Sequence, residues 1–365
     1  MPIRSLLLAL LALAAAVAPS GASAATPPAP VKHVFIIVLE NKDADTTFGP
    51  NSPAPYLART LTAQGAFVPG YYGTGHNSLD DYISMISGQA PNVATQADCP
   101  LYTDMLPGLP TSDGQVIGQG CVYPASVKTV ADQLEAKHLG WKGYMEDMGD
   151  DPARDNGTTC AHPAIGTPDQ TEQAAPNDQY ATRHNPFVYF HSIIDRPACA
   201  ARDVPLSRLP GDLATADRTP QLSFIVPDLC HDAHDATCAD NGPGGLPAAD
   251  AFLQTWVPRI TASRAFRRDG LLIVAFDEAE GDSSACCGEQ PGPNTPAPGG
   301  QSGGPGGGRT GAVLLSRFIR PGTVSSQSYN HYSLLRSVED FFGLSHLGYA
   351  AAAGLRPFGT DVFNR

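Results

Sequence analysis

Two acidic pairs stand directly behind apolar runs. Lys32 to Leu39 is a β-branched stretch that stops at Glu40-Asn41, and Leu271 to Phe276 is a second that stops at Asp277-Glu278. Between them lies Gly75-His76-Asn77-Ser78-Leu79, a hydroxyl in a glycine-led turn entering the amphipathic stretch Tyr82 to Ile86. Glu, Asn, Ser and Asp all present hard oxygen ligands. Carboxylates holding a divalent ion beside a serine would make a metal-activated nucleophile. Either acidic pair alone would more often cap the following helix. The constellation is what points to chemistry, because apolar runs without polar alternation read as strands of a covered parallel sheet, where ligands bind beyond the carboxyl ends.

A wider set of segments shares this order: Phe35 to Asn41, Gly75 to Leu79, His184-Asn185-Pro186-Phe187, Asp232-Ala233-His234-Asp235, Phe276-Asp277-Glu278 and Tyr329-Asn330-His331-Tyr332-Ser333. In these segments the chain resembles the bacterial phosphoesterase family of secreted acid phosphatases and phosphocholine-type phospholipases C. The resemblance implies an alkaline-phosphatase-like α/β fold, a mostly parallel central sheet with helices on both faces and long disulfide-linked insertions. It implies Ser78 as nucleophile, and one divalent ion (Zn, Ca, Mg or Mn) held by Glu40, Asn41, Ser78, Asp277 and Glu278. His76, His184 and His234 would contact the transferring phosphoryl group or protonate the leaving oxygen. Asp81, Asp232 and His331 join His76 and His184 on the substrate side, and Asp232 with His234 offers a second metal position that ranks below the single-ion reading. The chain departs from the family at Leu79-Asp80-Asp81-Tyr82, where many members carry Leu-Pro-Asn-Tyr, and at His231 and Ala233, where Asn and Gly are usual.

The elements that must position these residues follow from periodicity. Helices are predicted over Tyr56 to Gly65, Val127 to His138, Asp250 to Ser263 and Tyr332 to Phe342. Strands are predicted over Ala66 to Tyr71, Trp141 to Met145, Gln221 to Val226 and Ala312 to Ser316. Residues 89–125, 150–185 and 281–310 read as irregular, the last as a Gly- and Pro-rich flap or loop without the lysine of a phosphate-binding P-loop. The acidic run Glu146 to Asp151 reads as solvated loop.

At the start, Arg4, the apolar stretch Leu6 to Val17 and Ala22-Ser23-Ala24 form a cleavable signal peptide over residues 1–24. A Pro-rich leader over 25–30 precedes one expected domain, 31–365. No later stretch is long enough to span a membrane. A net charge of −13 argues against a nucleic-acid partner. Eight cysteines fit an exported, disulfide-bonded protein. Near neighbours suggest Cys99–Cys121, Cys160–Cys199 and Cys230–Cys238, while adjacent Cys286 and Cys287 leave the connectivity open.

The expected function is an exported phosphomonoesterase acting on a small-molecule or lipid phosphate ester. The alternatives are a phospholipase C-type phosphodiesterase and a non-catalytic secreted binding protein on the same fold.

Overall fold

The computed structural model describes residues 29–300 and 305–365. The expected signal peptide and residues 25–28 of the leader lie outside this range. One sheet takes its strands from almost the whole described chain: β1 (His33–Leu39), β2 (Ala66–Val68), β3 (Trp141–Met145), β4 (Asp203–Pro205), β5 (Leu222–Val226), β6 (Gly270–Phe276), β7 (Ala312–Ser316) and β8 (Thr323–Val324). Their order is β8-β2-β7-β6-β1-β5-β3-β4. Only β7 runs against the others.

Every residue of β1 and of β6 is buried, as the unalternating runs require. Val34, Ile36 and Val38 enter one apolar cluster and Phe35, Ile37 and Leu39 the other. The first face is covered by α1 (Ser78–Ser87), α2 (Val130–Ala136) and α5 (His331–Phe342), the second by α3 (Gly245–Ala262) and α4 (Arg264–Asp269). Burying one such side chain is worth about 1.5–3 kcal/mol, so slipping β1 by one residue, which would exchange its two faces, is strongly disfavoured. β1 and β6 pair in parallel from His33↔Gly270 to Leu39↔Phe276. Glu40 and Asp277 therefore leave the sheet side by side, although they are far apart in the chain.

Local signals account for the boundaries. Thr129 and Asp132 form a reciprocal capping box at α2. Gly88 and Gly343 end α1 and α5 in left-handed geometry. Three expectations change. The strand expected over Ala66 to Tyr71 breaks at Pro69-Gly70, and Tyr71–Tyr72 pairs instead with Tyr329–Asn330. Tyr56 to Gly65 opens with a π-helical turn, Tyr56–Leu61, before Thr62–Gln64. Residues 89–125 contain an antiparallel hairpin, Leu106–Pro110 with Val116–Gln119, which the Asp113-Gly114 pair at its turn signals in the sequence.

The disulfides are Cys99–Cys121, Cys160–Cys199, Cys230–Cys238 and the vicinal Cys286–Cys287. None of the described helices is long and apolar enough to cross a membrane.

Candidate active site

The site is built where β1 and β6 end. Asp277 N–H donates to the Leu39 carbonyl at 2.9 Å, and Asn41 N–H donates to Asp277 Oδ1 at 3.0 Å, so the two strand ends are stitched together. Asn41 adopts φ 39°, a left-handed value that asparagine tolerates better than most residues. Glu40 is 1 % exposed, and its backbone N–H donates to the Asp232 carbonyl at 2.7 Å, which draws in the loop after β5.

Ser78 is the first residue of α1, and its Oγ donates to Glu40 Oε2 at 2.7 Å. The turn before it is set by Asp81, whose Oδ1 accepts from Thr74 N at 2.7 Å, Thr74 Oγ1 at 3.0 Å and Gly75 N at 2.9 Å. Asp98 Oδ1 accepts from Leu79 N at 3.0 Å, using one of the free N–H groups of the helix start.

The amide end of Asn41 lies 3.0 Å from Glu40 Oε2 and 3.3 Å from Asp277 Oδ1. Turned one way, its nitrogen donates to both carboxylates. Turned the other, the oxygens of Asn41, Glu40, Asp277 and Ser78 converge at the roughly 3 Å spacing of ligands around one small cation. Glu40 Oε1 is buried without a hydrogen-bond partner. The donor set, acidic and all oxygen, thus fits a divalent ion. Glu278 faces His76 instead, with its Oε2 3.1 Å from Nδ1.

Electrostatics here are dominated by burial. It pushes the Asp277 carboxyl well up, helped by Glu40 and Glu278, and pushes Glu278 well up, helped by Asp81 and Asp80. Burial works against Glu40 as well, but His184 and hydrogen bonds from Asp277, Ser78 and Tyr82 outweigh it and leave that carboxyl lowered. Glu40 and Asp277 accordingly share a proton when nothing else brings positive charge.

His184 is buried and its ring stacks on Tyr82, with centroids 5.3 Å apart and planes 8° apart. Its Nε2 is 3.4 Å from Glu40 Oε1 and its Nδ1 is 3.8 Å from Asp232 Oδ2. Burial pulls its pKa down to about 3, so the imidazole is neutral over most of the working range. Asp232 is buried and pushed well up by desolvation, with Glu40 adding to it.

Glu40, Asn41, Ser78, Asp277, His184 and Asp232 therefore meet, and His76 joins through Glu278. His234 donates its backbone N–H to Asp232 Oδ1 at 2.8 Å, but its half-exposed ring turns to Asp235, 2.9 Å away. Asp81 and His331, expected on the substrate side, are each 0 % exposed. His331 Nδ1 meets Tyr71 Oη at 2.9 Å, and Nε2 lies 2.6 Å from the Asp277 carbonyl and 3.1 Å from Asp81 Oδ1. Through Asp81 Oδ1 the two brace the turn that carries Ser78, while Asp81 Oδ2 is buried without a hydrogen-bond partner.

Among the described residues, the one trio of His, Cys, Asp or Glu side chains with ligand atoms close enough together to share an ion is Asp228, Cys230 and His231. That trio is poorly suited to a metal, because Cys230 is a disulfide. His231, hydrogen-bonded to Asp228 and Glu146, is also pushed up to about 11 and stays protonated.

Two contributors escape the sequence reading. Tyr82 lies one turn beyond Ser78, a spacing that places both on one helix face. Asp98, which accepts from Leu79 N, carries no comparable local signal.

A serine at a helix start, hydrogen-bonded to a buried carboxylate beyond the ends of parallel strands, has the layout of an enzyme that acts on phosphoric esters. The chain belongs to the Phosphoesterase family, whose profile matches residues 52–345. It is 24 % identical to a phosphatidylinositol-3-phosphatase of Mycobacterium tuberculosis, over 91 % of this chain and 82 % of that protein. It is 23 % identical to an acid phosphatase of Aspergillus fumigatus, over 90 % of this chain and 60 % of that one. A phosphate-repressible acid phosphatase of Penicillium chrysogenum is 25 % identical, over 86 % of this chain and 59 % of its own length, so the chain spans little more than half of these fungal relatives. Among solved structures, a Vibrio parahaemolyticus protein of the alkaline phosphatase superfamily superposes with a TM-score of 0.45 at 14 % identity, covering 87 % of this chain and 69 % of that one.

Proposed function

We propose that the protein is an exported, metal-dependent phosphomonoesterase of acid-phosphatase type with Ser78 as nucleophile. The observation that carries this reading is the 2.7 Å hydrogen bond from Ser78 Oγ to Glu40 Oε2 at the start of α1. Glu40, Asn41, Ser78 and Asp277 would hold one divalent ion, which when bound supplies positive charge against a phosphoryl oxygen and lowers the pKa of the serine hydroxyl, while Glu278, turned to His76, stands outside the set. The Ser78 proton passes toward Glu40 as Oγ bonds to phosphorus and the bond to the leaving oxygen breaks. The leaving oxygen takes a proton from His76, which is held by Glu278. His184, neutral and stacked on Tyr82, offers an N–H to the phosphoryl group. Water then cleaves the phosphoserine, returning the proton to Ser78 and releasing inorganic phosphate. Four disulfides and the cleavage site after Ala24 support export.

Turnover of p-nitrophenyl phosphate, with and without a chelator, tests the reading. Activity lost on chelation and restored by one of Zn, Ca, Mg or Mn is expected. No turnover with any of the four ions would sink it in favour of a binding protein.

A lipid phosphate as substrate draws on the hairpin described above. Leu106, Leu109 and Ile117 are 69 %, 56 % and 44 % exposed there, and between Met105 and Tyr123 the only charged residue is Asp113. Asn294 ties this hairpin to the 281–310 segment through Val116 O at 2.7 Å and Gly118 N at 2.9 Å. The named activity of the mycobacterial relative points the same way. Faster release of phosphate from phosphatidylinositol 3-phosphate in vesicles than from a short-chain soluble analogue is the expected result. Equal rates on both would remove the lipid reading.

A further inference from the structure

Carboxylates line the end of the sheet where β1 and β6 stop, and the opposite end carries the reverse charge. At the amino ends of β3 and β5 lies a groove of about 720 Å³, walled by Lys142, Arg196, Arg202 and Arg218. A second groove, of about 490 Å³, adjoins it past Val204 on the edge strand β4, sharing Lys142 and Arg218 and adding Arg208. The acids that line the pair are Glu135, Asp212 and Asp217. Two of these are committed. Glu135 lies 2.6 Å from Arg196 Nη1 and 4.0 Å from Arg202 Nε, and Asp212 Oδ2 accepts from Lys142 Nζ at 2.7 Å and from Tyr144 Oη at 2.9 Å. Arg208 and Arg218 are exposed, and among the described residues neither guanidinium makes a hydrogen bond or an ion pair. Cations thus outnumber acids in the grooves of a chain whose net charge is −13.

We propose that the two grooves form one docking surface for a linear polyanion, a chain that bears closely spaced sulfate or phosphate groups and no bases. The planar fork of arginine pairs with the oxygens of either group, and Arg208 and Arg218, with no partner of their own, are the residues that engage it. Grooves of this size take a ligand of several groups rather than one small anion. No Phe, Tyr or Trp lines either groove, so bases would find no ring to stack on, which favours a base-free chain over a nucleic acid. The remaining charge sets the orientation: the carboxylate-lined end is repelled, and the protein sits on the chain with Ser78 facing away. This surface is separate from the Ser78 site and stands whether or not the phosphomonoesterase reading does.

Dextran sulfate, which offers no phosphate ester to hydrolyse, is the first probe, titrated into the full mature protein at low ionic strength. Binding that weakens as salt is added is expected. Arg208→Gln together with Arg218→Gln should raise Kd about tenfold, the weight of two exposed charge contacts, and leave turnover of p-nitrophenyl phosphate unchanged. Arg320→Gln together with Arg356→Gln removes the same charge elsewhere. Arg320 precedes β8 at the other edge of the sheet, and Arg356 Nη1 donates to Gln327 Oε1 beyond that strand. This second pair should shift Kd by less than about twofold. Equal weakening by the two double variants, or a parent Kd above about 1 mM for both dextran sulfate and polyphosphate, overturns the proposal. Inorganic polyphosphate, titrated into Ser78→Ala to suppress hydrolysis, separates the two sources: tighter binding than dextran sulfate assigns the chain to phosphate, weaker binding to sulfate. Single-stranded DNA held as tightly as either, and lost with Arg208 and Arg218, would overturn the base-free assignment.

Discussion

Ser78 and Glu40 make one unit, a hydroxyl and the buried carboxylate that takes its proton. Removing the hydroxyl deletes the covalent route while leaving the strand-end bonds of Asn41 and Asp277 untouched. Ser78→Ala should therefore lower kcat by about a thousandfold or more with a near-parent circular dichroism spectrum. Retention of activity within about tenfold of the parent, a barrier change of only ~1.4 kcal/mol, would exclude Ser78 as nucleophile. Asp277→Asn removes charge from the oxygen cluster but keeps an oxygen in place. It should lower both bound metal and kcat, with the rate partly restored by raised ion concentration. Elemental analysis showing no divalent ion in an active parent enzyme would refute that coupling. The inward turn of Asp81 alters what its replacement should do. Because Oδ1 already accepts from Thr74 and Gly75, Asp81→Asn keeps the acceptor, and KM for a phosphomonoester should change by less than about twofold. A several-fold fall in KM would mean that the carboxylate does reach the phosphate.

The elements place this unit by close backbone approach. Gly73 lies against β6, where an added Cβ would stand 2.5 Å from the Asp277 carbonyl and 3.0 Å from Gly307 Cα. Gly73→Ala must push the turn away from the strand end, displacing Ser78 from Glu40. A kcat loss of at least about tenfold is expected with a lowered Tm, since small misplacements of catalytic groups are costly. Gly211→Ala, where a Cβ meets nothing within 4 Å, serves as control and should change neither. Equal behaviour of the two variants would show that the turn tolerates displacement. The strands of this arrangement were readable because β1 and β6 are buried on both faces and so lack polar alternation. Their parallel pairing then aligned Glu40 with Asp277 through register. How Asp81 and His331 are tied into the turn was not readable. It depends on how α1 is rotated against α5 and Tyr71, a tertiary choice that spacing does not encode. Asp98 was unreadable for a related reason, since its role is defined by Leu79 N, nineteen residues earlier in the chain. The hairpin did carry its Asp113-Gly114 signal, but proline and glycine in its strands masked the alternation.

At the scale of the molecule, stability should depend on pH through carboxyl groups outside the site. Glu339 sits on α5 with no exposed surface; its Oε1 accepts from Leu347 N at 2.9 Å while Oε2 is left without a partner. Burial pushes it up to about 9, and Asp203, also buried, to about 7. A carboxyl whose folded pKa exceeds its unfolded value binds more protons when folded. Its stabilising effect is full below the unfolded pKa, near 4 to 4.5, and is lost as pH rises toward 7 for Asp203 and 9 for Glu339. The contribution lost from Glu339 by pH 8 is on the order of 3 kcal/mol after allowance for relaxation around the ionised group. The protein should therefore be most resistant to heat under mildly acidic conditions. Glu339→Gln keeps an oxygen for Leu347 N and cannot ionise. It should raise Tm by about 5 °C at pH 8 while changing it little at pH 4.5. Thermal unfolding followed at both pH values checks this. An equal shift at the two, or none at pH 8, would mean that water or a rearranged α5 already solvates the ionised carboxylate.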